Sequence, residues 1–175
     1  KIDPAMSLRP VADRLAELVD APIRFALDTV GPDAAAQAGS LAAREILLLE
    51  NLRFNPGETG NDPGFSSGLA ALGDPFVNDA FGTAHRAQAS TVGVTRHFET
   101  SRAGFLMEKE LEHLGLLVTA PPRPFVTVLG GAKVGSKVEV ILNLLDKVDT
   151  LLLGGGMIFT FLKVLGMNIG TSLLD

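Results

Sequence analysis

The chain has 175 residues, 46% of them apolar and 20% charged, with a formal net charge of −5. That is ample apolar material for a core in one large domain or parts of two, without the low-complexity tract of a disordered chain, and its acidic balance argues against a broad basic face for nucleic acid. It has no cysteine and only three scattered histidines, so it has no disulfide framework, no thiolate metal centre and no His-Glu-x-x-His spacing, and no metal-binding residue is expected. No apolar stretch is long enough to span a bilayer, and Lys1-Ile2-Asp3-Pro4 is not a signal peptide; a cytoplasmic protein is expected.

In chain order, Ser7 is placed to cap a helix with Leu8, Val11, Leu15 and Leu18 at helical spacing, and Pro10 in its first turn costs little. Residues 23–27 read as a short strand. Gly31-Pro32 opens an Ala-rich helix that Gly39 stops. Glu45 to Glu50 is an apolar run suited to a parallel strand buried on both faces. Asp62-Pro63 starts a helix with Phe65, Leu69 and Leu72 on one face. Residues 75–77 form a brief strand, and 91–98 a short helix. Residues 101–118 read as the longest helix, with Phe105, Leu106, Leu111, Leu114 and Leu117 along one side. Pro121-Pro122-Arg123-Pro124 marks a boundary. Strand 125–129, helix 136–148, strand 150–153 and helix 157–165 follow. Strands alternating with helices predict an α/β fold with mostly parallel sheets. The part after Pro124 supplies two strands only, which leaves apolar faces uncovered and edges open. With no initial Met and a last strand-helix unit that runs into the final residue, a fragment is expected.

Four loops carry chemistry-bearing residues. Arg53 follows a strand, at the sheet edge where open α/β sheets bind ligands, and its planar fork matches carboxylate or phosphate oxygens. It serves either such a ligand or a structural pairing with Glu50 or Glu58. Asn78 to Gly93 repeats the arrangement: a short strand ends and a loop of small residues presents His85 and Arg86. Asp79 in that loop reads as a turn-forming residue. His85 is either a loop histidine satisfied by backbone or part of a basic patch. Gly130 to Lys137 reads as Gly-x-x-x-x-Gly-Ser-Lys, one exchange from the P-loop pattern. Lys137 falls one position later than the P-loop lysine, a rotation of about 100° on a helix, so a P-loop NTPase is not expected. A strand, two glycines, a helix N-terminus and the lysines 133 and 137 still favour phosphate. Gly154-Gly155-Gly156 also joins a strand to a helix, but Phe159 stands where a dinucleotide fingerprint needs its last glycine. It is either a tight turn or a bare-backbone platform for a ring or phosphate.

Leu49-Glu-Asn-Leu-Arg-Phe54, Val77-Asn-Asp-Ala-Phe-Gly-Thr-Ala-His-Arg86, Ser90-Thr-Val-Gly93, Ala103-Gly-Phe-Leu-Met-Glu-Lys-Glu110, Leu129-Gly-Gly-Ala-Lys-Val134 and Gly154-Gly-Gly-Met-Ile-Phe-Thr-Phe-Leu-Lys163 together resemble phosphoglycerate kinase over essentially the full chain. The resemblance implies two Rossmann-like domains, each incomplete in this chain: residues 1–100 of the glycerate-binding domain, an interdomain helix at 101–118, and the start of the nucleotide-binding domain at 119–175. It implies a hinge-bending kinase, monomeric as a whole, that moves a phosphoryl group between 1,3-bisphosphoglycerate and ADP, giving 3-phosphoglycerate and ATP. Arg53 and Arg86 would hold the substrate, with His85 in the same basic patch. Lys133 would follow the transferring phosphoryl, and Arg53 would share in catalysis. Lys137, Gly131, Gly155 and Gly156 would bind ATP or ADP, and Mg2+ would be held mainly through the nucleotide and by residues outside this chain. Gln88 stands where the family commonly has His, and Gly135-Ser136 replaces the usual small residue and Asp. The segments that complete either half of such a site are missing, so the rival expectation is a non-catalytic α/β module that binds anions without turnover.

Overall fold

The computed structural model describes residues 3–175; Lys1 and Ile2, the start of the segment read as unlike a signal peptide, lie outside the described residues. The backbone divides into two units, Lys1–Lys109 and Glu110–Asp175. The first contains α1 (Arg9–Leu18), β1 (Ile23–Phe25), α2 (Pro32–Gly39), β2 (Ile46–Leu48), α3 (Pro56–Thr59), α4 (Pro63–Ala70), β3 (Phe76–Asn78) and β4 (Ser101–Ala103). Helix α5 (Phe105–Thr119) begins in it and ends in the second unit, which also holds β5 (Val126–Gly130), α6 (Val138–Leu145), β6 (Thr150–Gly154) and α7 (Ile158–Val164). The strands form three parallel pairs, β1 with β2, β3 with β4, and β5 with β6. The α/β class and the parallel pairing agree with the alternation in the sequence.

Pair β1–β2 is joined by α2, and pair β5–β6 by α6, because a parallel connection must carry the chain back to its starting edge. Registers are Ile23 with Ile46, Phe76 with Ser101, and Val126 with Thr150. The first unit's core is built around Ala12, Phe25, Ala26, Ala34, Phe65, Ala89, Val94 and Met107, and Ile141 and Met157 are buried in the second. Helix α1 turns Leu8, Ala12, Leu15 and Val19 inward, while Val11 and Leu18 are exposed. The 4-3-4 spacing of that face is as helical as the expected one; Ala12, too small to stand out as apolar, is its centre. The Arg9 guanidinium lies 4.2 Å from the Phe25 ring centroid, a cation-π contact between α1 and β1.

Two further expectations are corrected. Residues 101–118 are not one helix: Ser101–Ala103 pairs with β3, and the helix starts at Phe105. A three-residue strand has no period to read, and its partner lies more than twenty positions earlier, so pairing overrode the local pattern. On α5 the buried residue is Met107, whereas Phe105 and Leu111 are exposed. Strand β2 is also less covered than a strand buried on both faces: Ile46 is exposed, and Leu47 and Leu48 are half-buried. In the second unit Val126, Val128 and Leu152 are exposed, in line with the uncovered faces expected for two strands. A groove of about 620 Å³ lined by Leu114, Leu117, Phe125, Val126, Val140 and Leu144 runs along that sheet. Its first strand is held at its start by Asp149, whose carboxylate accepts from the Phe125 N–H and pairs with Arg123 at 3.0 Å. The Phe125 N–H and then Arg123 hold the Asp149 carboxyl below the usual aspartate range.

The cap of α1 also differs from expectation. The N-cap residue is Leu8, whose side chain makes no capping bond; Ser7, one position earlier, accepts from the Arg9 N–H at 3.2 Å, and Glu50, from the loop after β2, anchors the segment that leads into the helix. Its carboxylate takes the Leu8 N–H at 2.8 Å, the Ser7 hydroxyl at 2.7 Å and the Asn51 N–H at 2.7 Å. Burial raises the Glu50 carboxyl, the largest single influence on it. The Leu8 N–H, Ser7 hydroxyl, Asn51 N–H and nearby Arg9 together bring it below the ordinary glutamate value. A depressed folded value means stability that is present above the unfolded value and is lost as pH falls through the folded one. Glu50→Gln is expected to cost about 1 kcal/mol near neutrality, as weakening of hydrogen bonds to a charged acceptor does. Thermal melts from about pH 7 to pH 3 should show a shallower acid loss in the variant than in the native chain.

Candidate functional site

The loop after β2 is fixed by two asparagines. Asn51 Oδ1 accepts from the Arg53 N–H at 3.0 Å, and its Nδ2 donates to the Met6 carbonyl at 2.9 Å. Asn55 Oδ1 accepts from the Gly57 N–H at 2.9 Å and opens α3. Between them Leu52–Phe54 make one 3-10 turn that carries Arg53, which is exposed. Neither expected structural partner engages Arg53: Glu50 anchors Leu8 ahead of α1, and Glu58 binds Ser90. Instead Arg53 Nη2 lies 3.5 Å from Oε1 of the buried Gln88. A cleft of about 280 Å³ opens beside this turn, between Leu27–Thr29 at the end of β1 and Glu50, Phe54, Asn55 and Pro56.

The loop after β3 is pinned at both ends. The turn-forming side chain is Asn78, whose Oδ1 accepts from the Ala80 N–H at 3.0 Å. Asp79 has a different role from the one expected: its Oδ1 accepts from the Met107 N–H at 2.9 Å and caps the first turn of α5. A 3-10 turn, Phe81–Thr83, follows, and the Arg86 N–H bonds the Thr83 carbonyl at 2.9 Å. His85 and Arg86 are both exposed and adjacent, with Arg86 Nε 3.4 Å from His85 Nε2. The backbone N–H of Gln88 then bonds the Thr91 hydroxyl at 3.1 Å, and the chain enters a π-helical turn, Ala89–Gly93, and a 3-10 turn, Val94–His97. These two turns replace the single helix expected over 91–98. The geometry therefore brings Arg53, through Gln88, against the loop that presents His85 and Arg86. Gln88, Glu58 and Ser90 were not singled out for a role in joining these loops; nothing in their local sequence announces the non-local partner each one finds.

In the second unit the register pairs Gly130 with Gly154, so the loops after β5 and β6 leave side by side. The Met157 N–H bonds the Gly131 carbonyl at 2.8 Å. Gly155 has φ +70°, and a Cβ there would stand 2.8 Å from both N and O of Gly131. The position needs glycine for conformation and for approach. A Cβ on Gly156 would lie 3.4 Å from the Ala132 backbone, and one on Gly131 would lie 3.0 Å from Lys137 Cε. Gly131, Gly155, Gly156 and the stem of Lys137 are thus drawn into one patch. Lys137 ends the 3-10 turn Gly135–Lys137 that leads into α6. Lys133 is exposed on the same loop, with its carbonyl 3.4 Å from Ser136 Oγ. The Gly135 N–H, ahead of that turn, donates to the Asp175 carboxylate at 2.7 Å, so this backbone donor already accommodates an anionic oxygen.

Ion pairs among the described residues join Arg14 to Glu17, Arg24 to Glu45 and Arg123 to Asp149; none engages Arg53, Arg86, Lys133 or Lys137. The more spacious grooves offer different chemistry. One of about 550 Å³ lies between Val30, Ala35, Ala38, Gly68 and Ala70–Asp74 and is lined by no cation, so it lacks the charged donors that favour phosphate. Among the described residues no group of three or more His, Asp or Glu is arranged to hold a metal, and no helix is long and apolar enough to cross a membrane.

Parallel strand pairs with glycine-rich and cationic loops at their carboxyl edges define an α/β protein. The phosphoglycerate kinase family model matches residues 1–175, and the chain belongs to that family. It is 54% identical over all 175 residues to phosphoglycerate kinase of Chlorobium luteolum and covers 44% of that protein. With the enzyme of Chloroherpeton thalassium it shares 55% identity over 170 residues, covering 43% of the relative. Among solved structures, phosphoglycerate kinase from Coxiella burnetii aligns with 100% of the chain at a TM-score of 0.77 and 42% identity, and the match covers 43% of that structure. The enzyme from Pyrococcus horikoshii aligns with 94% of the chain at a TM-score of 0.83 and 34% identity, and the match covers 42% of it. The chain spans less than half the length of these relatives.

Gly155→Ala is expected to destabilise the second unit by about 1–3 kcal/mol, through a side chain in the left-handed region and its collision with Gly131. Exchange of the Met157 and Leu129 amides should accelerate accordingly, while amides of the first unit keep their native rates.

Proposed function

We propose that the protein of which these 175 residues form a part transfers a phosphoryl group between 1,3-bisphosphoglycerate and ADP, yielding 3-phosphoglycerate and ATP. The family match over residues 1–175 carries the reading. Support comes from the two loop pairs, each with cations or bare glycine backbone at the carboxyl edge of parallel strands. The reading includes residues 1–100 as glycerate-binding, the helix that follows as the interdomain connection, and residues 119–175 as the opening of the nucleotide-binding domain. A cytoplasmic, glycolytic role and a monomeric parent go with it.

In this reading Arg53 and Arg86, with His85, hold the phosphate and carboxylate of the glycerate. Arg53 also neutralises charge at the reacting end. An oxygen of the ADP β-phosphate attacks the acyl phosphorus, the bond from phosphorus to the acyl oxygen breaks, and the carboxylate of 3-phosphoglycerate leaves. No proton has to move, so the protein's task is alignment and neutralisation of charge on the equatorial oxygens. Lys133 meets that charge. Lys137 binds the nucleotide phosphates, with Gly131, Gly155 and Gly156 letting the nucleotide lie against backbone. Mg2+ would neutralise the nucleotide phosphates; the described residues do not form a cage for it, and no step is assigned to it here.

One observation favours a narrower activity for the isolated chain. It spans 44% of its relatives, and in-line transfer requires both substrates held together, a proximity effect of about 7–11 kcal/mol. The 175 residues alone are therefore read as binding anions without turnover.

A coupled ATP-forming assay tests both statements. In the full-length parent, Lys133→Ala should lower kcat by about a hundredfold or more, as loss of a charge-stabilising donor does. Lys137→Ala should mainly raise the ADP KM. Equal loss of kcat from both with unchanged KM would refute this division. The purified 175-residue chain should form no ATP; turnover by it that Lys133→Ala abolishes would refute the narrower reading.

A further inference from the structure

Glu58 is 3% exposed and is the buried charged side chain among the described residues. Both its oxygens address one residue: Oε2 accepts from the Ser90 N–H at 3.0 Å and Oε1 from the Ser90 hydroxyl at 2.6 Å. A buried carboxylate is costly unless its oxygens are satisfied, and a charged acceptor gives hydrogen bonds roughly twice as strong as a neutral one. The phosphoryl-transfer reading gives Glu58 no contact with a reacting group.

Its position in the chain shows what the two bonds join. Glu58 sits on α3, and its N–H bonds the Asn55 carbonyl at 3.1 Å; Asn55 directly follows the turn of Arg53. Ser90 lies in the helical turn whose first carbonyl acceptor is Gln88. The Gln88 carbonyl takes the Val92 N–H at 2.8 Å, its N–H bonds the Arg86 carbonyl at 3.0 Å, and its side chain faces Arg53. Few rotatable bonds therefore separate either end of the Glu58–Ser90 contact from a cationic segment.

We infer that Glu58 is a positioning residue: its carboxylate clamps the Arg53 segment to the His85–Arg86 segment, so that the two meet one phosphorylated carboxylic acid. The inference deepens the proposed function and rests on its assignment of both segments to one ligand. Ser90 is the other jaw. Gln88 is the side chain through which the clamp reaches Arg53.

The test uses the full 175-residue chain with Glu58→Ala, Glu58→Gln and Ser90→Ala. Two readouts are taken: relaxation of the Arg53 Nε–H resonance without ligand, and affinity for 3-phosphoglycerate by calorimetry. Glu58→Ala should free the Arg53 side chain and weaken binding about tenfold, a coupling in the range of contacting residues. In that background Arg53→Ala should cost little further affinity, whereas in the native chain it costs about tenfold. Glu58→Gln should restore both readouts, since its amide can accept from the Ser90 N–H and donate to the Ser90 hydroxyl. A role in stability alone would lower the melting temperature but leave Arg53 as ordered as before, with its full contribution to affinity, and that result overturns the inference. If Glu58→Ala does not fold, Ser90→Ala decides: increased Arg53 mobility supports the clamp, and unchanged mobility overturns it. If the native chain binds no 3-phosphoglycerate, the ligand assignment fails, while Arg53 mobility still decides the clamp.

Discussion

Parallel pairing brings together the loops that leave partnered strands. Two parallel strands in register finish at the same edge, so the segments leaving them begin beside one another. Gly130 opposite Gly154 is the plainest case: once those residues are paired, the Gly131 and Gly155 backbones are in contact range, and only glycine at 155 permits the approach. The same constraint sets the segment after β2 beside that after β1, where Glu50 reaches back to α1. In these two cases strand register creates the arrangement and side chains refine it; the loops after β2 and β3, which leave strands not paired with each other, are joined by the Glu58–Ser90 and Arg53–Gln88 contacts instead.

Carboxylates hold the first unit's loops, and none does so by pairing with the candidate cations. Glu50 anchors Leu8 ahead of α1, Asp79 caps α5, and Glu58 grips Ser90. Each takes backbone N–H groups that would otherwise lack partners at a helix or turn terminus. These three carboxylates are thereby committed to backbone and hydroxyl donors, and none of the ion pairs among the described residues engages Arg53 or Arg86. A chain of net charge −5 thus still presents local cationic groups: the global field is acidic, while the immediate surroundings of Arg53 and Arg86 are not.

Much of this was legible in the sequence. The alternation of elements, the helix starts at Gly31-Pro32 and Asp62-Pro63, and the glycine loops after β5 and β6 all carry local signals, and all are found. What was not legible depends on partners distant in the chain. Ser101–Ala103 looked like helix because its strand character comes from Phe76–Asn78. Ser7 accepts from the Arg9 N–H as a residue at the start of α1 can, but its tie to Glu50, more than forty positions away, had no local signal. Asp79 looked like a turn residue because its acceptor role is realised only when β4 brings Met107 near. The candidate cations were visible by type and by family resemblance. The Glu58–Ser90 and Arg53–Gln88 contacts that relate their loops were not, because no period or short motif encodes a contact across thirty positions.

The central claim is that the carboxyl-edge loops of the parallel pairs are the anion sites. Titrating the native chain with 3-phosphoglycerate and, separately, with ADP, while following every backbone amide and arginine Nε–H by NMR, tests it most directly. The expected result is that 3-phosphoglycerate shifts the Arg53 and Arg86 side-chain signals along one saturation curve, together with amides of residues 50–54 and 80–93. ADP should shift amides of residues 131–137 and 155–157. Shifts clustered in the apolar grooves lined by α2 and α4 or by β5 and α6, with these loops unmoved, would contradict it.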